Sequence, residues 1–380
     1  YYFPNWHVEP RNEKWHGSGW TEWRLLECAR PRFPGHQQPK KPLWGYEDEA
    51  DPKVMAKKIA TASRYGLDGF VFDWYWFNDG PYRNRCLENG FLAAPNTEKL
   101  KFAVMWCNHD AIQAHPGSRM FPTPVLQPGS ITAETFVNAT QHCIDKYFPQ
   151  PNYLRLGDGL YFSIYQLPKM INELGGTQKM RALFDDFRHR VEKAGLGKLH
   201  LNAVNLETMN APESTPPAQI DALTDTLDID SRSGHAWTWQ EPDFPTRDYE
   251  LVAHSNMQHY EHFSTAFKLP YHPAVCVGWD PSPRTVQSEV YENIGYPFTT
   301  ILANNTPEVF EKILRQAKRF LNSRKSTAEI LFLHSWNEWT EGTYLEPDKI
   351  SRFDYLKVVQ KVFNRKTPSK VESSEQRLFS

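Results

Sequence analysis

No stretch of the 380-residue chain carries the roughly 20 consecutive apolar residues that a membrane helix needs. Charge of one sign is also lacking. Lysine and arginine number 43 against 45 aspartates and glutamates, a formal net charge of −2, so no global field draws the chain to nucleic acid or an anionic membrane. The cysteines Cys28, Cys86, Cys107, Cys143 and Cys276 are scattered and form no CxxC pair, which excludes a zinc knuckle and a dense disulfide framework. The 14 histidines contain neither HExxH nor HxxxH, so no catalytic metal is expected. GxSxG, a P-loop, a glycine-rich dinucleotide fingerprint and a nucleophilic-cysteine context are all missing, and no cofactor is expected. No internal repeat of 20–50 residues is present.

What is abundant is aromatic surface. Phe, Trp and Tyr make up 14% of the chain, with 13 Trp and 17 Tyr. Tryptophan and tyrosine carry a polar tip and favour interfaces and clefts as well as cores. Sugars, with apolar faces and polar rims, suit such walls.

The chain repeats one pattern: a short apolar strand ending in polar or aromatic residues, a loop, then a helix. Predicted strands are Tyr1–Trp6, Gly69–Phe77, Phe102–Asn108, Leu160–Gln166, Leu199–Leu206, Thr226–Ser231, Ala274–Trp279 and Ile330–Trp336. Several are continuous apolar runs, as parallel strands covered on both faces require. Predicted helices cover 51–65, 132–147, 177–194 and about 307–322. The first and last open with a capping Asp51 or Thr306 followed by Pro52 or Pro307. Eight strands alternating with helices predict an α/β fold, a (β/α)8 TIM barrel with long strand-to-helix loops. Residues 1–365 are expected to form a single catalytic domain and 366–380 a polar tail. The long loops are predicted at 8–50, 207–225 and 232–273, the last rich in histidine.

A barrel places its active site at the carboxyl ends of its strands. Those ends carry Asn5, Trp6 and His7, then Asp73 to Trp76, then Trp106 to Asp110. Later strands end in Asn205 and Glu207, in Arg232, His235, Trp237 and Trp239, and in Trp279, Asp280 and Arg284. The sharpest signal is 331–348, LFLHSWNEWTEGTYLEPD, where Glu338 and Glu341 follow the last predicted strand. On an extended strand, positions i and i+3 point to opposite faces. If the chain curls into a helical turn they become neighbours, and both carboxylates can face one cavity. A glycosidase needs such a pair, one kept protonated for the leaving oxygen and the other ionised. Repulsion between them and a Trp-lined wall would raise one pKa. The plain alternative is two solvated glutamates in a loop, which the flanking Trp336, Asn337, Trp339 and Gly342 argue against.

Several segments resemble the bacterial WbsX-like proteins of the glycoside hydrolase family 99-like group. They are YYFPNWH (1–7), GWTEW (19–23), PRFPGHQQP (31–39), YGLDGFVFDWYWF (65–77), GWDPSPR (278–284), NTPEVF (305–310) and NEWTEGTYLEPD (337–348). The resemblance implies a (β/α)8 barrel acting on glycans, with the two catalytic glutamates falling on Glu338 and Glu341. It makes Glu341 the general acid/base at the glycosidic oxygen. Glu338 becomes the base that takes the proton of the substrate's 2-hydroxyl, which attacks C1 to give a 1,2-anhydro sugar; a direct nucleophilic role is equally compatible with the residues. Three positions depart from the family pattern: Thr340 where family 99 endo-mannosidases have His, WCNHDA (106–111) in place of WANENW, and Asp73 in place of a Tyr. These positions would shape the subsites.

The expected activity is therefore a retaining glycoside hydrolase cleaving an α-linked oligo- or polysaccharide of manno or rhamno type. Candidate substrate-binding residues are Tyr2, His7, Glu22, Asp73, Trp74 and Tyr75, then Asn108, His109, His235 and Trp237, and then Trp279, Asp280, Arg284, His334, Trp336 and Asn337. Alternatives are a glycosyltransferase of surface polysaccharide synthesis or a non-catalytic glycan-binding barrel. A transferase would want a nucleotide-sugar cradle, and DID at 228–230 fits a metal-binding DxD by letter. A polysaccharide degrader would be periplasmic or extracellular. The chain opens on Tyr1 rather than Met, so an export signal is expected to lie outside the sequence shown.

Overall fold

A computed structural model of the protein describes residues 1–206, 215–237, 243–323 and 325–363. It is an α/β fold around a mostly parallel sheet. Its parallel strands are β1 (Gly69–Phe77), β2 (Lys101–Trp106), β3 (Gly159–Ile164), β4 (Lys198–Val204), β5 (Ser231–Ser233) and β6 (Tyr271–His272), and beside it β7 (Ala274–Cys276) and β8 (Phe332–His334) form a separate two-stranded sheet. Neighbours in sequence pair in parallel from β1 to β6, with Phe70 opposite Phe102, Val104 opposite Phe162, and Asn202 opposite Ser231. β7 pairs in parallel with β8, Val275 facing Leu333, and only Pro273 separates β7 from β6.

The first residues join both ends of this order. Tyr2 N donates to Val71 O at 2.8 Å and Tyr2 O accepts from Asp73 N at 3.0 Å, beside β1. On the other side Trp336 N donates to Tyr1 O at 2.8 Å, just past β8.

Helices cover the sheet for reasons written in their ends and faces. Pro52–Arg64 starts where Asp51 accepts from Lys53 N, and it buries Met55, Ile59 and Ala62. Pro307–Leu321 starts where Thr306 accepts from Val309 N, and it buries Phe310, Ile313, Leu314 and Ala317. Ala133–His142 is capped by Thr132, and Thr177–Lys193 buries Met180, Phe184, Phe187 and Val191. Apolar side chains at this spacing form one stripe that the sheet removes from water. No described helix is long and apolar enough to cross a membrane.

Several expectations are corrected. The predicted strand Thr226–Ser231 lies instead at Ser231–Ser233. Thr226 and Leu227 complete a helix, Pro217–Leu227, which stops where Asp228 turns left-handed at φ 56°. That helix also occupies part of the expected loop 207–225, whose residues 207–214 lie outside the described residues. The expected loop 232–273 contains the helix Tyr249–Thr265. Its buried side includes Asn256 and Ser264 beside Val252, Ala253 and Tyr260, so its stripe is too polar to read by hydropathy. The expected strand Tyr1–Trp6 reduces to a bridge between Tyr2 and Phe72. The loop 8–50 holds two short helices, Pro10–His16 and Trp23–Cys28. The tail 366–380, Glu207 and Trp239 lie outside the described residues.

Candidate active site

Beyond β8 the chain makes a narrow hairpin that carries both glutamates. Asn337 and Glu338 pair antiparallel with Tyr344 and Thr343. Between the two arms, Trp339–Glu341 forms a single 3₁₀ turn. Ser335 Oγ accepts from Glu338 N at 3.0 Å and donates to Thr343 O at 2.7 Å, closing the base. Gly342 ends the turn at φ 66°. A Cβ there would meet Asp280 Cβ at 2.6 Å and Asp280 N at 2.9 Å, so glycine is required by both conformation and space.

The turn is held from behind by a buried polar cluster. Trp339 Nε1 donates to Glu346 Oε2 at 2.7 Å and its ring stacks on Tyr344 at 3.8 Å. Glu346 shares the Lys58 ammonium with Glu49. Asn337 Nδ2 donates to Glu49 Oε1 and Phe3 O, both at 2.9 Å, and its Oδ1 accepts from Phe3 N at 2.8 Å.

In front of the turn lies Arg284, 4% exposed. Its Nη2 is 3.3 Å from Glu338 Oε1 and 3.0 Å from Glu22 Oε1, and its Nη1 contacts Glu341 Oε1. Tyr296 Oη donates to the same Glu341 oxygen at 2.8 Å. His334 Nε2 stands 3.4 Å from Glu338 Oε2. These contacts split the protonation of the pair. Burial pushes Glu338 up, but the His334 hydrogen bond and the Arg284 charge outweigh it and hold the carboxyl below its ordinary 4.5. Burial dominates at Glu341; the Glu338 charge adds to it against Arg284, and the group is pushed up to about 7. Glu22 is buried too, yet Arg284 pulls it down to about 2. Near neutrality one member of the pair is ionised and the other half-protonated.

Glu338 and Glu341 open into one cavity of about 540 Å³. From the predicted set, the structure also brings Asp73, Tyr75, His109, His235, Trp237 and Trp279 to this wall, with Arg284 and His334. Asp73 is a third carboxyl there. Burial and the Glu338 charge raise it to about 8, and its Oδ1 has no hydrogen-bond partner. His235, also without a partner on either ring nitrogen, packs against His334 with ring centroids 4.4 Å apart.

The other predicted residues do not line the cavity. Trp74 follows Asp73 on β1 and so points to the opposite face, into Trp106, Trp76 and Tyr147. Trp336 packs on Phe70, and Tyr2 between Phe70 and Phe72, both in the core. His7 is buried outside the cavity, 3.9 Å from Glu9, and burial lowers it to about 3. Asn108 spends its side chain on Gln166 N and O, and Asn337 on Phe3 and Glu49 as described. Asp280 accepts from His36 Nε2, Gln38 Nε2 and Ser282 Oγ, and its N donates to Glu341 O at 2.5 Å; it braces the turn from outside. Glu22 touches the site from behind, through Arg284, the Thr340 hydroxyl and His115. In the DID segment, Asp230 Oδ2 accepts from Leu201 N at 2.7 Å and Ile229 is buried, which gives those letters a structural use.

Among the wall residues that were not foreseen are Arg83, His115, Tyr165 and Tyr296. Tyr165 falls at a predicted strand end and was readable by position. The other three sit on loops whose return to the cavity no local pattern announces.

The fold and the chain have relatives. Two solved structures of the GH99 endo-α-mannosidase from Bacteroides thetaiotaomicron align with TM-scores of 0.59 and 0.57 at 16% and 15% identity. They cover 100% and 96% of this chain and 97% and 95% of theirs. A structure described as a glycoside hydrolase-like protein aligns at TM-score 0.58 and 16% identity, over 85% of this chain and 89% of its own. At such identities these matches speak for the fold. The uncharacterized protein WxcX of Xanthomonas campestris pv. campestris is 26% identical over 96% of this chain, which spans about half (49%) of that relative's length. The family model described as glycosyltransferase WbsX matches residues 1–359, and the chain belongs to that family.

Proposed function

We propose that this protein is a retaining glycoside hydrolase acting on an α-linked glycan, with the eight strands closed as a (β/α)8 barrel. The links from Tyr1 and Tyr2 to the two ends of the strand order support closure. The observation that carries the activity is the unequal pair: Glu338 held ionised and Glu341 held near pKa 7, in one aromatic-walled cavity.

In this reading Glu341 gives its proton to the glycosidic oxygen as the bond to C1 breaks. Glu338 takes the proton of the substrate's 2-hydroxyl while that oxygen closes on C1, giving a 1,2-anhydro sugar. Glu341, now ionised, takes a proton from water, which opens the ring at C1 with net retention, and O2 recovers its proton from Glu338. A direct attack of Glu338 on C1 uses the same two groups. The anhydro route needs O2 trans to the leaving group, which α-mannosides provide, and the mannosidase activity named for the Bacteroides structures supports that configuration. Work on a polysaccharide calls for export to the periplasm or beyond.

The deciding experiment is a hydrolysis screen over α-linked glycans with Glu341→Gln as control. Loss of general acid–base help is worth about 10²- to 10⁴-fold in rate. A variant that hydrolyses at the parent rate sinks the assignment. The transferase reading, which the family's description keeps in view, is tested by calorimetry with nucleotide-sugars; saturable binding favours it.

A further inference from the structure

The cavity holds two buried guanidiniums, and they are treated differently. Arg284 is saturated by three carboxylates. Arg83 lines the same cavity at 8% exposure and has no carboxylate within ion-pair distance among the described residues. Its Nε is buried without a hydrogen-bond partner. Its support is aromatic: the guanidinium carbon lies 4.5 Å from the Tyr82 ring centroid, 4.9 Å from Tyr75 and 5.1 Å from Phe3. These rings stabilise the cation; beyond a side-chain contact with Tyr82, a guanidinium with five N–H donors keeps capacity for a further acceptor, the buried Nε among them.

The carboxyls nearby form no ion pair with it: Asp73, raised to about 8, is protonated around neutrality, and two others are engaged elsewhere. Glu22 binds Arg284, Asn5 and Thr340. Glu9 accepts from Arg11 N. A buried cation left without a counter-charge is costly, and the chain accepts this at a position with a left-handed backbone, φ 62°.

Resting on the glycan-cleaving reading, we propose that Arg83 recognises a single negative substituent on the sugar chain, a uronate carboxylate or a sulfate ester. Both present two oxygens that a planar guanidinium binds as a fork. One charge is the number the wall can match. Burial keeps His16, His109, His115 and His235 neutral around pH 7, His334 faces Glu338, and Arg284 is taken by its three carboxylates. A phosphate dianion would lack its second cation.

The test is calorimetry on the full-length Glu341→Gln protein, which stops turnover. Probes are α-linked oligosaccharides carrying one uronate, the same chains with the carboxyl reduced to CH₂OH, and the reduced chains sulfated at that position. The expected result is that the uronate or sulfated chain binds about 10- to 100-fold tighter than its neutral counterpart, the worth of a charged hydrogen-bonded contact. That preference should shrink with salt and vanish when Arg83→Met is added. Preference for the uronate alone names a carboxylate, and for the sulfated chain alone a sulfate ester. Equal binding of charged and neutral chains by the Arg83-containing protein, or no binding of any charged chain, overturns the proposal, even if Arg83→Met fails to fold. So does a preference that survives Arg83→Met. Charge-dependent binding without hydrolysis by the parent protein ends the hydrolase reading and leaves this one standing; hydrolysis without charge preference does the reverse.

Discussion

The imidazole of His334 and the carboxylate of Glu338 stand 3.4 Å apart, Nε2 to Oε2, at the point where the last strand hands over to the turn. That contact is one of two that hold Glu338 ionised against burial. Activity should therefore be bell-shaped in pH. The acid limb, set by Glu338, should fall below pH 4.5, and the alkaline limb, set by Glu341, should fall near 7. His334→Ala should move the acid limb to higher pH and leave the alkaline limb nearly in place. A kcat/KM–pH profile of parent and variant checks this; an unmoved acid limb removes His334 from the account.

Arg284 is the shared cation of Glu22, Glu338 and Glu341. Replacing it with methionine leaves three carboxylates facing one another in the dark of the cavity. Removing one partner of a buried ion pair costs about 3–5 kcal/mol. Urea unfolding at pH 7 should show a loss of that order for Arg284→Met, easing at lower pH as Glu338 and Glu341 take up protons. A variant as stable as the parent at pH 7 contradicts the arrangement.

Asp73 and Glu341 are carboxyls whose folded pKa lies above the ordinary value, at about 8 and about 7. Their stabilising effect is complete below the unfolded value near 4 and is lost as pH rises toward the folded one. Asp73→Asn mimics the protonated acid. It should gain stability relative to the parent as pH climbs from about 4 to about 8 and should keep a working cavity near neutrality. Melting curves across that range decide it; a parallel offset at every pH would mean that Asp73 is ionised throughout.

Behind the turn, Lys58 is the cation between Glu49 and Glu346. Lys58→Met should destabilise by about 3–5 kcal/mol and lower kcat, because Trp339 loses a fixed acceptor. Adding Glu346→Gln should recover part of the stability, since it removes one of the stranded charges. Additive losses in the double variant would show that the two side chains do not interact.

How much of this was readable beforehand depends on what each residue contacts. The strand Gly69–Phe77 and the helices opened by Pro52 and Pro307 announce themselves through apolar runs and caps, which are local. So does the ExxE at Glu338 and Glu341, whose curl follows from Gly342. Period two along β1 separates Asp73 and Tyr75 from Trp74, and applying it would have withdrawn Trp74 from the wall. The helix Tyr249–Thr265 escaped because Asn256 and Ser264 interrupt its stripe. Arg83 escaped for a different reason: of the three rings that define its role only Tyr82 stands in GPYRN, while Tyr75 and Phe3 come from elsewhere in the chain.

The anchoring of Asn337 to Phe3 spans 334 residues, and that to Glu49 spans 288. A growing polypeptide thus carries Lys58 and Glu49 for most of its synthesis before Glu346 and Asn337 exist to meet them. Contacts of such sequence separation form late, so the reactive hairpin should be among the last pieces to lock. A chain cut anywhere between residues 60 and 330 should regain its hollow only when both pieces are supplied together.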